Sequence, residues 1–65
     1  MIIRLNGEAR EIAARTLDAL VIELDLPGEA VATAVNQEFV PRGERAETTI
    51  MAGDAVEILS PMQGG

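Results

Sequence analysis

The spacing of apolar residues along the chain changes from the alternation typical of strands to the period of about 3.6 typical of helices, and then back to alternation. Residues 2–5 and 9–13 are the first two strand-like segments, and Asn6-Gly7 lies between them. An Asn-Gly pair is a strong hairpin signal, because both residues tolerate the positive φ angles of a type I′ turn. The first thirteen residues are therefore predicted to form a β-hairpin. The side chains predicted to face the core are those of Ile3, Leu5 and Ile12.

One amphipathic helix is predicted after the hairpin. Thr16 precedes it and offers a hydroxyl that can accept hydrogen bonds from the free amides of the first turn. Pro27-Gly28 ends it, because proline disfavours the α conformation at the residue before it and glycine permits a reversal. The helix should have about nine residues. Its apolar stripe, with i, i+3, i+4, i+7 spacing, consists of Leu17, Leu20, Val21 and Leu24.

The second half of the chain returns to strand patterns. Asn36-Gln37 and Ala52-Gly53-Asp54 are turn sequences. The segment 42–49 is polar and charged, which predicts a connection on the surface. Strands are predicted at residues 31–35, 39–40 and 55–59.

The predicted element order β-β-α-β-β-β favours an α+β domain in which one helix covers one sheet. The first and last strands are the most continuously apolar, so we expect them side by side in the sheet centre. The long crossover through the helix suits a parallel pair there. This predicts a β-grasp (ubiquitin-like) fold, with a mixed sheet of four to five strands packed on one helix. The domain is predicted to span residues 1–59, followed by a flexible C-terminal tail at 60–65.

Composition narrows the chemistry that such a domain can perform. The chain has no cysteine or histidine, and all five of its basic residues are arginines. These absences disfavour an ordinary zinc site, a thiolate nucleophile, an imidazole base and a lysine Schiff base. A net charge of −6 disfavours nucleic acid as a partner. No apolar run approaches the ~20 residues of a membrane span, and no signal peptide is evident, so a cytoplasmic location is expected.

The C-terminal residues are the remaining candidate for a chemical role. It reads Ser60-Pro61-Met62-Gln63-Gly64-Gly65, and six extended residues reach about 20 Å. Glycines without a Cβ can enter a narrow channel of another enzyme. The reacting group would then be the α-carboxylate of Gly65. Conversion of this carboxylate to an acyl-adenylate would supply a leaving group, and attack by sulfur would then give a thiocarboxylate. A frayed tail without a function is the alternative.

Six segments of the chain match the pattern of one known family: 3–7, 16–20, 31–36, 40–42, 53–58 and 64–65. Each matching segment is weak alone, but their order and spacing together are specific. Through them the chain resembles, over nearly its whole length, the ThiS family, the small ubiquitin-like sulfur carriers of thiamine biosynthesis.

The resemblance implies a carrier protein and not an enzyme. Gly65 matches the terminal glycine that an E1-like adenylyltransferase activates with ATP, and Gly64 matches the penultimate glycine that gives access. A sulfur-donor enzyme then supplies sulfur, and the thiocarboxylate is delivered to thiazole synthase. The activating partner uses the ATP, so this chain is expected to bind no cofactor.

Partner docking is predicted to use apolar surface near the base of the tail. The candidates are Phe39, Leu59 and Met62, although Phe39 would also suit the core. Regular alternation along the last strand predicts that Leu59 faces opposite to Ile58. Arg42 matches a Pro-Arg pair of the family and is expected to meet an acid of a partner or of its own fold.

Two departures from the family pattern leave alternatives open. No aromatic residue follows the Pro-Arg pair, and Pro61 is more typical of the small subunit of molybdopterin synthase. A molybdopterin-type sulfur carrier is therefore one alternative. The others are a ubiquitin-like modifier that joins Gly65 to lysines of other proteins, and a stand-alone binding module with an inert tail.

Overall fold

A computed structural model of the protein describes residues 1–60, and in this part of the chain one helix packs on a five-stranded sheet. The predicted element order is confirmed. Two 3₁₀-helices, Gly28–Ala30 and Arg42–Glu47, lie in the connections. The strands and the α-helix are β1 (Ile2–Leu5), β2 (Glu8–Glu11), α1 (Leu17–Glu23), β3 (Ala32–Val35), β4 (Glu38–Val40) and β5 (Ala55–Leu59).

The sheet has the strand order β2-β1-β5-β3-β4. The first and last strands lie side by side at its centre and run parallel, with Arg4 opposite Ala55 and Leu5 opposite Val56. The other three strand pairs are antiparallel. This mixed sheet confirms the predicted β-grasp fold.

Two tight hairpin turns set the strand registers. Asn6 and Gly7 have φ angles of 51° and 87°, and Asn36 and Gln37 have 51° and 71°. Positive φ at both central residues is the feature of type I′ turns, so the Asn-Gly prediction is confirmed. Because the first turn uses only two residues, pairing resumes at Glu8 and β2 begins one residue earlier than predicted.

The helix begins as predicted and ends earlier. The Thr16 hydroxyl oxygen accepts a hydrogen bond from the Ala19 amide at 3.2 Å. The helix ends at Glu23, and Asp25 then adopts a left-handed φ of 58°. The Leu26 amide returns to the Val21 carbonyl at 3.1 Å, which is the reversal of a Schellman motif. The chain therefore leaves the helix before Pro27, and the helix has seven residues.

The core lies between α1 and the facing side of the sheet. Ile3 and Ile12 are buried there as predicted, and Leu5 packs against its edge. Ile50, which no periodic pattern indicated, is also buried. The remaining buried apolar residues are Ala14, Leu17, Leu20, Val21, Val31, Val40, Val56 and Ile58.

The polar segment 42–49 is not entirely a surface connection, and the prediction was wrong at Arg45. This side chain is only 3% exposed. Its guanidinium donates to the Gly28 carbonyl at 2.8 Å, the Val31 carbonyl at 2.7 Å and the Thr33 hydroxyl at 3.1 Å. The planar fork of arginine can satisfy several acceptors at once, which makes its burial tolerable.

The α-helix and the 3₁₀-helices within residues 1–60 are too short and too polar to cross a membrane. The strand β5 ends at Leu59, where the domain was predicted to end. Residues 61–65, which form most of the predicted tail, lie outside the described residues, so the tail remains a prediction.

Candidate functional site at the exit of the last strand

The strand β5 leads directly into the segment predicted to carry chemistry. Its residues alternate between the two faces of the sheet. Val56 and Ile58 are buried beneath α1, whereas Ala55, Glu57 and Leu59 face away from it. Leu59 is 60% exposed, which confirms that it points away from the face that Ile58 occupies.

Apolar side chains meet on this uncovered face beside the end of β5. Ala32 lies opposite Leu59, and Ala34 lies opposite Phe39. Phe39 is 69% exposed, so the alternative that it belongs to the core is wrong. We give the name exit patch to four residues of this face: Ala32, Ala34, Phe39 and Leu59. They line a shallow depression of about 100 Å³ together with Thr33 and Glu57.

The predicted docking candidates are only partly brought together. Phe39 and Leu59 both belong to the exit patch, and their contact with a partner remains a prediction. Met62, Gly64 and Gly65 lie outside the described residues. Arg42 is exposed, and its side chain makes no hydrogen bond or ion pair with the other residues of the range 1–60. The described part of its own fold therefore offers Arg42 no acidic partner.

Asn6, which the sequence indicated only as a turn residue, also binds the end of β5. Its side-chain oxygen accepts from the Ile58 amide at 2.9 Å, and its side-chain nitrogen donates to the Ile58 carbonyl at 3.1 Å. The residue thus shapes the first hairpin and holds the last strand. A polar side chain in an Asn-Gly turn gives no sign of this second contact.

Asn36 forms a related contact at the beginning of β5. Its side-chain oxygen accepts from the Ala55 amide at 3.0 Å, and its side-chain nitrogen donates to Asp54 at 3.3 Å. Asp54 in turn accepts from the Met51 amide at 2.8 Å. The last strand is therefore fastened by an asparagine at each end.

This arrangement is suited to presenting a chain end to another protein. The strand exit, residues 58–60, lies next to an exposed apolar surface and is held to the sheet on the side of β1. Ser60 is the only serine, and the chain has no histidine or lysine that would activate it. Within residues 1–60, no three acidic side chains are grouped so as to hold a metal ion.

The fold and this surface define the class of the protein: a ubiquitin-like β-grasp domain whose last strand leads to a Gly-Gly end. A family model described as the ThiS family matches residues 3–65. The chain therefore belongs to the ThiS family.

Curated relatives agree with this assignment. The sulfur carrier protein ThiS of Thermus thermophilus is 34% identical over 61 residues, which are 94% of this chain and 95% of that protein. The sulfur carrier protein ThiS of Escherichia coli is 33% identical over 66 residues that cover both chains completely. A thiazole synthase of Paramagnetospirillum magneticum is 37% identical over 62 residues. That match covers 94% of this chain but only 19% of the thiazole synthase.

Solved structures show the same fold. The crystal structure of the thiamine biosynthesis protein ThiS from Geobacter metallireducens superposes with a TM-score of 0.85 at 30% identity, and the match covers both chains completely. The solution NMR structure of a thiamine biosynthesis protein from the same organism gives a TM-score of 0.84.

Proposed function

We propose that the chain is a sulfur carrier of thiamine biosynthesis and that it carries sulfur as a thiocarboxylate on Gly65. The observation that carries this proposal is the family match, which continues through residue 65 and so includes both glycines. The full-length relatives named as sulfur carriers support it. The exposed apolar surface at the end of β5 also supports the proposal, because a partner that takes up the chain end could dock there.

The chemistry requires only the terminal carboxylate of this chain. A carboxylate oxygen of Gly65 attacks the α-phosphorus of ATP, and pyrophosphate leaves. Sulfur at the oxidation level of sulfide, supplied by a donor enzyme, attacks the carbonyl carbon of the resulting acyl-adenylate, and AMP leaves with the former carboxylate oxygen. The product is a thiocarboxylate. The chain is thus a substrate and sulfur donor rather than an enzyme, it needs no cofactor of its own, and Gly64 allows close approach because it has no Cβ.

Three partner enzymes follow from this sequence of steps: an E1-like adenylyltransferase, a sulfur-donor enzyme and thiazole synthase. The thiazole synthase relative contains a segment similar to nearly all of this chain, which supports a direct interaction between the carrier and a thiazole synthase. The activating step consumes ATP, so the proposal includes a cytoplasmic location. Neither nucleic acid nor a membrane has a role in it.

The exit patch is the proposed contact for the activating enzyme and the synthase. Phe39 and Leu59 supply its exposed apolar area, and Met62 would extend it along the tail. Arg42 would pair with an acidic residue of a partner. Exposed apolar groups that gather in a patch commonly mark interaction sites. Because both partners would use one surface, they must bind the carrier in turn.

The test is intact mass after incubation with ATP, the activating enzyme and a sulfur source. We expect the full chain to exchange one oxygen for sulfur, and we expect the chain lacking Gly65 to remain unchanged in mass. Ile22→Ala is the control, because Ile22 is exposed on α1 in the other layer of the fold. Sulfur on the truncated chain would contradict the role of Gly65.

The same experiment separates the alternatives. The thiocarboxylate is offered to thiazole synthase and, in parallel, to the large subunit of molybdopterin synthase. Transfer only to the latter would favour a molybdopterin carrier. Covalent conjugates with lysines of other proteins would instead indicate a ubiquitin-like modifier, and a full chain that never changes mass would indicate a binding module. The family match favours thiazole synthase.

A further inference from the structure

The central parallel pair of strands ends before β5 does. The Arg4 and Asn6 amides donate to the carbonyls of Asp54 and Val56, each at 2.9 Å. Because strand residues alternate in direction, the next peptide groups of β5 that face β1 are those of Ile58. At that level β1 has already turned away at Asn6-Gly7. The backbone of β1 therefore cannot continue the ladder.

The side chain of Asn6 takes the place of the missing strand residue. Its amide group offers one acceptor and one donor, like a peptide unit, and it satisfies both the amide and the carbonyl of Ile58. On the other edge of β5, Leu59 pairs with Ala32 of β3. The last two residues of β5 are consequently held from both sides.

We propose that Asn6 is a positioning residue for sulfur transfer. By holding Ile58, it keeps Leu59 in the exit patch and fixes the point from which the chain continues toward Gly65. Without this contact the end of β5 would fray, and a partner would have to order those residues again when it binds. Ordering a backbone lowers its conformational entropy, and this cost reduces the free energy of binding. A strand that is already ordered in the free carrier avoids this cost when the partner binds. The inference rests on the proposed function of Gly65.

The identity of the residue agrees with this role. At a φ of 51°, glycine or aspartate would also suit the turn. Glycine has no side chain to bind Ile58. Aspartate would keep the acceptor but would place an oxygen against the Ile58 carbonyl. Among the residues that favour this turn, asparagine alone can bind both groups of Ile58.

Asn36 provides a matched control inside the same chain. It has the same φ of 51°, lies in the same kind of turn, and accepts from an amide of the same strand. It binds Ala55, however, at the end of β5 that is remote from the exit. Asn36→Gly therefore removes a comparable contact without releasing Ile58 or Leu59.

The experiment compares Asn6→Gly and Asn36→Gly with the unaltered chain. It measures kcat/KM for thiocarboxylate formation by the activating enzyme with ATP and a sulfur source, together with thermal unfolding and amide hydrogen exchange. We expect Asn6→Gly to lower kcat/KM about tenfold, since two hydrogen bonds are lost at the exit. Asn36→Gly should lower Tm to a similar extent but change kcat/KM by no more than about twofold. Faster exchange should appear at Ile58 in the first variant and at Ala55 in the second.

A purely structural role for Asn6 would give the same loss of kcat/KM in both variants at equal loss of Tm, and that result would overturn the proposal. An unchanged kcat/KM in Asn6→Gly would overturn it as well. Asn6→Asp should show the same direction of change, and it serves if Asn6→Gly does not fold. Failure of the unaltered chain to form a thiocarboxylate would reject the proposed function itself, which distinguishes the two failures.

Discussion

The two faces of the sheet differ in what they contribute, although the same strands form both. Toward α1, β5 places Val56 and Ile58, which are 1% and 7% exposed. Toward the other side, β5 and β4 place Leu59 and Phe39, which remain mostly exposed. The covered face stabilises the fold by burying apolar side chains. The apolar side chains of the uncovered face stay mostly in contact with water, so folding stabilises them little. Because strand residues alternate, neighbouring positions in one strand serve different purposes.

The largest expected effect concerns the buried arginine of the covered face. Arg45→Ala leaves the carbonyls of Gly28 and Val31 without their donors and opens a cavity. We expect the free energy of unfolding to fall by about 3 kcal/mol, measured by urea denaturation. Arg42→Ala is the control, because Arg42 is exposed, and it should change stability by less than about 0.5 kcal/mol. Equal effects would mean that the network around Arg45 contributes little.

Adjacent residues of β5 give the most direct test of the comparison. Ile58→Ala should cost about 2 to 3 kcal/mol of stability, because a buried side chain is removed from the core. Leu59→Ala should cost less than about 0.5 kcal/mol and should instead weaken binding to the activating enzyme. Urea denaturation of both variants checks the expected stabilities, and binding titrations of both variants check the expected affinities for the activating enzyme. A large loss of stability in Leu59→Ala would contradict the division between faces.

A smaller effect is expected at the only aromatic residue. Phe39→Ala should raise the Kd for the activating enzyme or thiazole synthase about tenfold, as loss of an interface anchor does. Stability should hardly change, because Phe39 is 69% exposed. Ile22→Ala, at 70% exposure, is matched in exposure and lies on α1. If both substitutions change binding equally, the exit patch is not the docking surface.

The smallest effect should come from the net charge of −6. We expect the association rate with each partner to fall a few-fold as ionic strength rises from about 0.01 M to about 0.15 M, since the screening length shrinks from about 30 Å to about 8 Å. Stopped-flow measurements over this range check it. A rate that does not change with salt would show that the acidic surface serves solubility alone.

Local signals in the sequence were sufficient for most of the fold. Asn6-Gly7 indicated the first hairpin and Thr16 the start of the helix, because turns and caps depend on a few neighbouring residues. The pairing of β1 with β5 was predicted from apolar content and from the length of the crossover. Burial of Arg45 was not predicted, because its three acceptors lie 12, 14 and 17 residues away along the chain.

The candidate site was predictable only in part, for a similar reason. Alternation along β5 indicated that Leu59 faces away from Ile58, and this was correct. The strand around Phe39 is only three residues long and was too short to show which side faces the core. The contact from Asn6 to Ile58 joins residues 52 positions apart and depends on the register of the sheet. No local pattern encodes such a contact.

The parallel pairing of β1 and β5 has a practical consequence. Parallel strands begin at the same end of the sheet, so the α-amino group of Met1 lies at the end opposite to the exit of β5, about 23 Å away along the strand direction. These 65 residues contain no lysine, so in a chain that starts at Met1 this group is the primary amine that a succinimidyl dye or an amine-coupling sensor chip would find. Every molecule would then be attached at the same point, at the end of the sheet remote from the exit of β5.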